Sequence, residues 1–227
     1  MMKTKVLSLL YFITGFLFIV LQDRSSFFTG LVIKTLIIPL LMILFMVNLR
    51  PVINRSHWLI FAGLLFSWSG DVILEFSQKN SNLFILGLIS FLLAHIMYLT
   101  VFFKIPGKNV IFGNRIYLLI PVLLYGAGLV YYLYDDLAEM RLPVILYAIV
   151  ILTMLGGAIN RIKKVNRTSY WLVLTGAILF VISDSAIAVN KFSHEFVSSG
   201  IVIMATYVIA QLLIVVGYIK QFRENFE

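Results

Sequence analysis

The chain has 227 residues, of which 61% are hydrophobic and 12% charged, far below the ~25% charged share of a soluble domain. That balance places it among integral membrane proteins, and no segment is polar enough to form a separate soluble domain. It has no cysteine, which excludes disulfides, thiolate metal sites and a cysteine nucleophile.

A spanning helix needs about 20 mostly apolar residues. Taken in chain order, eight spans are expected, near 4–21, 28–48, 57–76, 82–103, 113–134, 141–160, 168–189 and 197–219. The turn signals Asn80-Ser81-Asn82, Pro106-Gly107 and Asp135-Asp136 fall between them. The first span runs into a second too soon, and ends in residues too bulky, to read as a cleaved signal peptide. The expected architecture is all-α, a single transmembrane domain over 1–227.

The net charge of +8 is a topology signal and not the footprint of a nucleic-acid partner. Lys3, Lys5, Arg50, Arg55, Lys104, Lys108, Arg115, Arg161, Lys163, Lys164, Arg167, Lys220 and Arg223 fall on one side, thirteen in all. Arg24, Lys79, Arg141 and Lys191 fall on the other, and Lys34 lies inside a span. The positive-inside rule then sets both termini in the cytoplasm. Anionic lipid head groups are expected partners of the basic face, and a bacterial cytoplasmic membrane is the expected location.

A weak internal repeat is also present. A shift of 113 positions carries Asp71 onto Asp184, Gly63 onto Gly176, Gly87 onto Gly200 and Gly15 onto Gly128. It also sets Gly70 on Ser183, Tyr98 on Gln211 and Lys34 on Tyr147. Two parallel four-helix repeats, about 1–113 and 114–227, are therefore expected, with a site at their interface.

Asp71 and Asp184 sit within apolar spans, where an ionisable group costs several kcal/mol unless paired or near water. At 1.5 Å of rise per residue both fall roughly 8–9 Å below the non-cytoplasmic helix ends. Lys34 and Tyr147 share that depth, and His95 and Gln211 lie near the midplane. Ser67 shares a helix face with Asp71, His95 with Tyr98, and Tyr207 with Gln211. Small residues beside the acids, Gly63, Ser69, Gly70, Gly176 and Ser183, permit close helix approach. Each feature also has a purely structural reading: a Lys34–Asp network, a packed histidine, tyrosines as packing donors, and a solvated Glu75 at the outer interface. A zinc site would have to combine His95 with the two aspartates, a poor ligand set; no metal or cofactor is expected. No serine-hydrolase elbow occurs.

The segment 63–76 with Ser69-Gly70-Asp71, then Leu93-Ala94-His95-xx-Tyr98, then Gly176-Ala177-Ile178-Leu179-Phe180-xx-Ser183-Asp184, resembles the YhhN-like lysoplasmalogenase family over the whole chain. Lys34, Pro39, Tyr147 and Gln211 fit the same pattern. One departure is Thr35, where the resemblance places a proline directly after the lysine.

The resemblance implies hydrolysis of the vinyl ether bond of a lysoplasmalogen, a lysophospholipid. The products are a fatty aldehyde and glycerophosphoethanolamine or glycerophosphocholine. Such a bond is cleaved by acid, with demands like those of glycoside hydrolysis: one carboxyl as general acid and a second to steady the cation or activate water. Asp71 and Asp184 are expected to be that pair, titrating as a unit. Lys34 is expected to bind the lipid phosphate or hold one Asp ionised. His95, Tyr98, Tyr147, Tyr207, Gln211, Ser67 and Ser183 are expected to bind substrate and orient water. The alternative is a proton-coupled transporter of small molecules or lipids, and a third reading is a lipid-binding scaffold without turnover.

Overall fold

The computed structural model describes residues 2–22, 24, 26–49, 54–77, 81–107 and 115–223. Asn80 of the turn signals, and Arg50, Lys79 and Lys108 of the charge count, lie outside them. In chain order the helices are α1 (Met2–Leu21), α2 (Phe27–Asn48), α3 (Arg55–Phe76), α4 (Ser81–Phe103), α5 (Ile120–Leu133), α6 (Arg141–Ile159), α7 (Arg167–Ala188) and α8 (Ser199–Arg223). Among the described residues there is no strand. Among the same residues, eight helical segments are long and apolar enough to cross a membrane. A backbone in hydrocarbon has no water to bond, so it closes its hydrogen bonds within the helix.

The ends follow local chemistry. Ser26 accepts from the Thr29 N–H at 3.3 Å, and Asn166 from the Ser169 N–H at 2.7 Å. Asn54 and His57 form a reciprocal cap, each side chain accepting from the other's backbone N–H at 3.1 and 2.9 Å. The fifth span departs from the expected continuous helix. It opens as a 3₁₀ turn, Ile116–Leu119, and becomes α5 with Pro121 in its first turn, where a missing N–H costs nothing. The seventh overruns its expected end through a π turn, Val189–Ser193.

Two compact units divide the chain, Met1–Tyr98 and Leu99–Glu227. In the first, α1 packs on α2 and α2 on α3, around Ile37, Ile38, Leu41 and Leu44 from α2 and Ile60 and Leu64 from α3, all essentially without solvent exposure. Helices α3 and α4 approach closely at three glycines. A Cβ on Gly63 would stand 2.6 Å from the Tyr98 ring, one on Gly70 2.7 Å from Phe91, and one on Gly87 2.6 Å from Leu74.

Pro39 lies inside α2. A proline has no N–H, so the carbonyl four residues earlier loses its helical donor; that carbonyl belongs to Thr35. The Trp68 indole Nε1–H of α3 donates to the Thr35 carbonyl at 2.9 Å. The proline thus leaves a polar group open at membrane depth, and a neighbouring helix satisfies it.

In the second unit, α7 and α8 form the tightest pairing. A Cβ on Gly176 would lie 2.9 Å from the Ala210 carbonyl oxygen, and one on Gly217 3.0 Å from the Val173 backbone nitrogen. Backbone meets backbone at both places, the use small residues have in membrane helices. At the base of this seam Arg161, in the turn between α6 and α7, is wholly removed from solvent. Its Nη2 donates to Ser169 Oγ at 2.8 Å, which donates to the Gly217 carbonyl at 2.6 Å. The guanidinium stands 5.3 Å from the Phe102 ring, and burial holds its pKa down to about 10.

The Pro39–Trp68 link predicts a specific coupling. Trp68→Phe should lower stability in detergent by about 1–3 kcal/mol, the cost of an unsatisfied buried polar group. In a Pro39→Ala background, which restores a backbone donor to Thr35, the same substitution should cost measurably less. Thermal unfolding of the four proteins in the cycle measures the difference.

Candidate active-site residues in each unit

In the first unit Asp71 is 4% exposed, and Ser67, one turn before it on α3, is fully buried. Tyr11 of α1, also fully buried, lies within electrostatic reach of Asp71 and Tyr98. His95 and Tyr98 are fully buried on α4. The His95 Nδ1 shares a short hydrogen bond with the Phe91 carbonyl, which fixes the ring against its own helix. Ser90 donates to the Phe66 carbonyl at 2.7 Å, a tie from α4 back to α3.

Lys34 is paired with Glu75. Its Nζ is 2.9 Å from Glu75 Oε2, the two side chains are 13% and 20% exposed, and the ammonium lies 5.6 Å from the centre of the Phe18 ring. Glu75, expected to be solvated, is therefore the carboxylate that holds the intramembrane cation. It lies one turn beyond Asp71 on α3, a spacing at which two acids share a face. Charge spacing along one helix exposes that relation, but which acid meets a lysine on another helix depends on the rotation of both.

In the second unit Tyr147 of α6 donates its hydroxyl to Asp184 Oδ2 of α7. The tyrosine expected at the depth of the aspartate thus meets it directly. Tyr125 of α5 donates to Ser185 Oγ at 2.8 Å, which in turn donates to the Val181 carbonyl at 2.7 Å. Tyr125 and Ser185 escaped the sequence reading, although Ser185 adjoins Asp184 in the chain. Ser183, nearly fully buried, donates to the Ile203 carbonyl of α8 at 3.0 Å. Tyr207 and Gln211 are buried on α8, the former packed edge-to-face on Phe180 at 5.5 Å. A cavity of about 50 Å³ lies among α5, α6 and α7, with Asp184, Tyr147, Tyr125 and Ser185 in its wall. A water needs only ~10–15 Å³ of such space, so a water-sized reactant fits beside the carboxyl. Among the described residues, no three His, Asp or Glu side chains gather as metal ligands.

Eight apolar helices with carboxyls, tyrosines and a lysine at membrane depth define an integral, multi-pass membrane protein. The chain belongs to the YhhN family, whose model matches residues 29–218. Its relatives include the protein named lysoplasmalogenase TMEM86A in Bos taurus, 33% identical over 74% of this chain and 68% of that one. The lysoplasmalogenase TMEM86B of Rattus norvegicus is 29% identical over 90% of this chain and 79% of that one. A lysoplasmalogenase of Mycobacterium tuberculosis is 25% identical over 74% of this chain and 63% of that one. No solved structure matches the chain significantly.

The ion pair carries its own test. Lys34→Met leaves Glu75 as a charge without its cation and should cost about 1–3 kcal/mol. Lys34→Met with Glu75→Gln should recover most of that loss. Unfolding midpoints in detergent report both.

Proposed function

We propose that this protein is a lysoplasmalogenase: it hydrolyses the vinyl ether bond of a lysoplasmalogen drawn from the membrane, with Asp71 and Asp184 as its two working carboxyls. The reading is supported by family membership and by three relatives bearing that name. The observation that carries it is Asp184, held by the Tyr147 hydroxyl at the edge of a cavity with room for water.

The chemistry needs a proton donor and an acceptor in turn. One carboxyl delivers its proton to the carbon β to the ether oxygen, leaving an oxocarbenium ion across the α-carbon and oxygen. The other, as carboxylate, steadies that cation and takes a proton from the attacking water, whose oxygen bonds to the α-carbon. The hemiacetal then collapses: its hydroxyl proton leaves, the bond from the α-carbon to the glycerol oxygen breaks, and the glycerol oxygen is protonated. The products are a fatty aldehyde and the glycerophospho-base. In this scheme the Tyr147 hydroxyl aims the Asp184 carboxyl, and Lys34, with His95, Tyr98, Tyr207, Gln211, Ser67 and Ser183, binds the polar part of the substrate. Hydrolysis is favoured over proton-coupled transport because the relatives are named as hydrolases.

We further propose that the fold consists of two parallel four-helix repeats, on the strength of the 113-residue shift, with both termini in the cytoplasm, as the thirteen-to-four distribution of Lys and Arg implies. The chain has no cysteine, so single-cysteine variants report the side directly. A cysteine at Thr4 should react with an impermeant maleimide only after the cells are opened, and one at Asp136 in intact cells. The reverse pattern overturns the orientation.

Purified protein should release aldehyde from a lysoplasmalogen and no fatty acid from an ester-linked lysolipid. Asp71→Asn and Asp184→Asn should each lower kcat/KM by at least about a hundredfold. The double variant should be no worse than the weaker single one, as expected of residues acting together. Tyr147→Phe should lose about tenfold, the effect of one hydrogen bond to a charged group. Full activity in either Asn variant overturns the assignment of the carboxyls, and ester cleavage overturns the substrate.

A further inference from the structure

A second and much larger cavity, about 610 Å³, lies among α5, α6 and α7. It meets the small cavity beside Asp184: Tyr125 and Val181 stand in the walls of both. Along α7 the wall is one unbroken stripe through Trp171, Leu174, Ile178, Val181 and Ile182, residues spaced at three, four and seven so that they share a helix face. From Tyr170, at the far end, to Asp184 is fourteen residues, roughly 21 Å of helix.

The two ends differ in chemistry. Around Asp184 stand three hydroxyls, those of Tyr147, Tyr125 and Ser185, already arranged in hydrogen bonds. Beyond Val181 the wall is aliphatic until Arg115, Tyr170 and Trp171, residue types that sit at a membrane interface. A ligand matched to this space has its oxygen atoms at one end and a long stretch that asks for no hydrogen bond. Its volume lies within the ~300–1,000 Å³ of small-molecule sites. Ile178 and Ile182 are 42% and 40% exposed, so the groove is open along its side, and a chain already in the bilayer enters without crossing water.

We propose that this groove holds the alkenyl chain of the substrate, with the vinyl ether at Asp184 and the tail running along α7 toward Arg115, so that Leu174 and Ile178 set chain-length preference. The inference rests on the lysoplasmalogenase reading above. An ordinary bilayer lipid lying in a lateral groove is the competing occupant, and it makes no connection to turnover.

The test fills the groove at two depths. Aldehyde release is measured for the unmodified protein, Ile178→Trp and Leu174→Trp on lysoplasmalogens with octenyl, dodecenyl and octadecenyl chains. Ile178→Trp should lose about tenfold or more in kcat/KM for the longest chain relative to the shortest. Leu174→Trp, one turn further from Asp184 and about 15 Å from it along the helix, should spare the middle length and slow the longest chain alone. Retained cleavage of the shortest chain shows that each variant is folded. Leu146→Trp, on a lipid-exposed face of α6 outside this groove, should keep the unmodified profile. If one tryptophan variant fails to fold, the other still gives the ratio, and Ile178→Ala should raise the relative rate on the longest chain. A profile unchanged by every groove substitution means that only bulk lipid lies there, and overturns the proposal while leaving the activity intact. No aldehyde from any substrate with the unmodified protein overturns the activity itself, and this inference with it.

Discussion

Water is missing where this chain does its folding, and every polar group at membrane depth must find a partner among other protein atoms. The helices settle the backbone. What is left over decides which helices touch. Pro39 takes away the donor for the Thr35 carbonyl, and Trp68 supplies one from α3. Lys34 cannot stand alone on α2, and Glu75 of α3 meets it. Ser90 ties α4 to α3, Ser183 ties α7 to α8, and Tyr147 ties α6 to Asp184. Each tie is a polar leftover matched across a helix pair, and together they fix rotations that a nearly uniform apolar surface leaves undetermined.

That division also explains what the sequence disclosed. Span positions follow from summed hydropathy, which is additive along the chain, so eight helical segments fall where they were expected. Depth follows from counting residues, and Tyr147 and Asp184, assigned to one level, are bonded. Rotation about the helix axis is not additive. Position near a helix end makes Glu75 read as solvated, and only the facing of α2 on α3 shows it as the partner of Lys34. The pairing of Tyr125 with Ser185 is hidden in the sequence for the same reason. Arg161 reads as one of the basic loop residues, yet it is buried, its hydrogen bond to Ser169 visible only once α7 and α8 are packed. The 3₁₀ opening of the fifth span and the π turn after α7 carry no hydropathy signal.

Family membership and the local chemistry bear on different questions. The family and its relatives point to a substrate with a vinyl ether. The residues bear on how the proposed cleavage would run: tyrosine and serine hydroxyls and apolar side chains surround the Asp184 carboxyl. A membrane-embedded acid suits this reaction for a plain reason. The oxocarbenium ion is captured by whatever nucleophile reaches it first, and a space of water-molecule size limits the candidates.

The glycine seam of α7 and α8 has a mechanical corollary. Backbones in contact cannot approach further, and separating them uncovers packed main chain, so this pair behaves as one stiff rail. Helix α5 is packed less deeply: of its fourteen residues, Gly126 and Leu133 are the buried ones. Under the proposed lipid entry beside Asp184, α7 would be the fixed side of the groove and α5 the side with less buried packing. On that reading, stiffening α5 is the change that would slow exchange of long hydrocarbon chains.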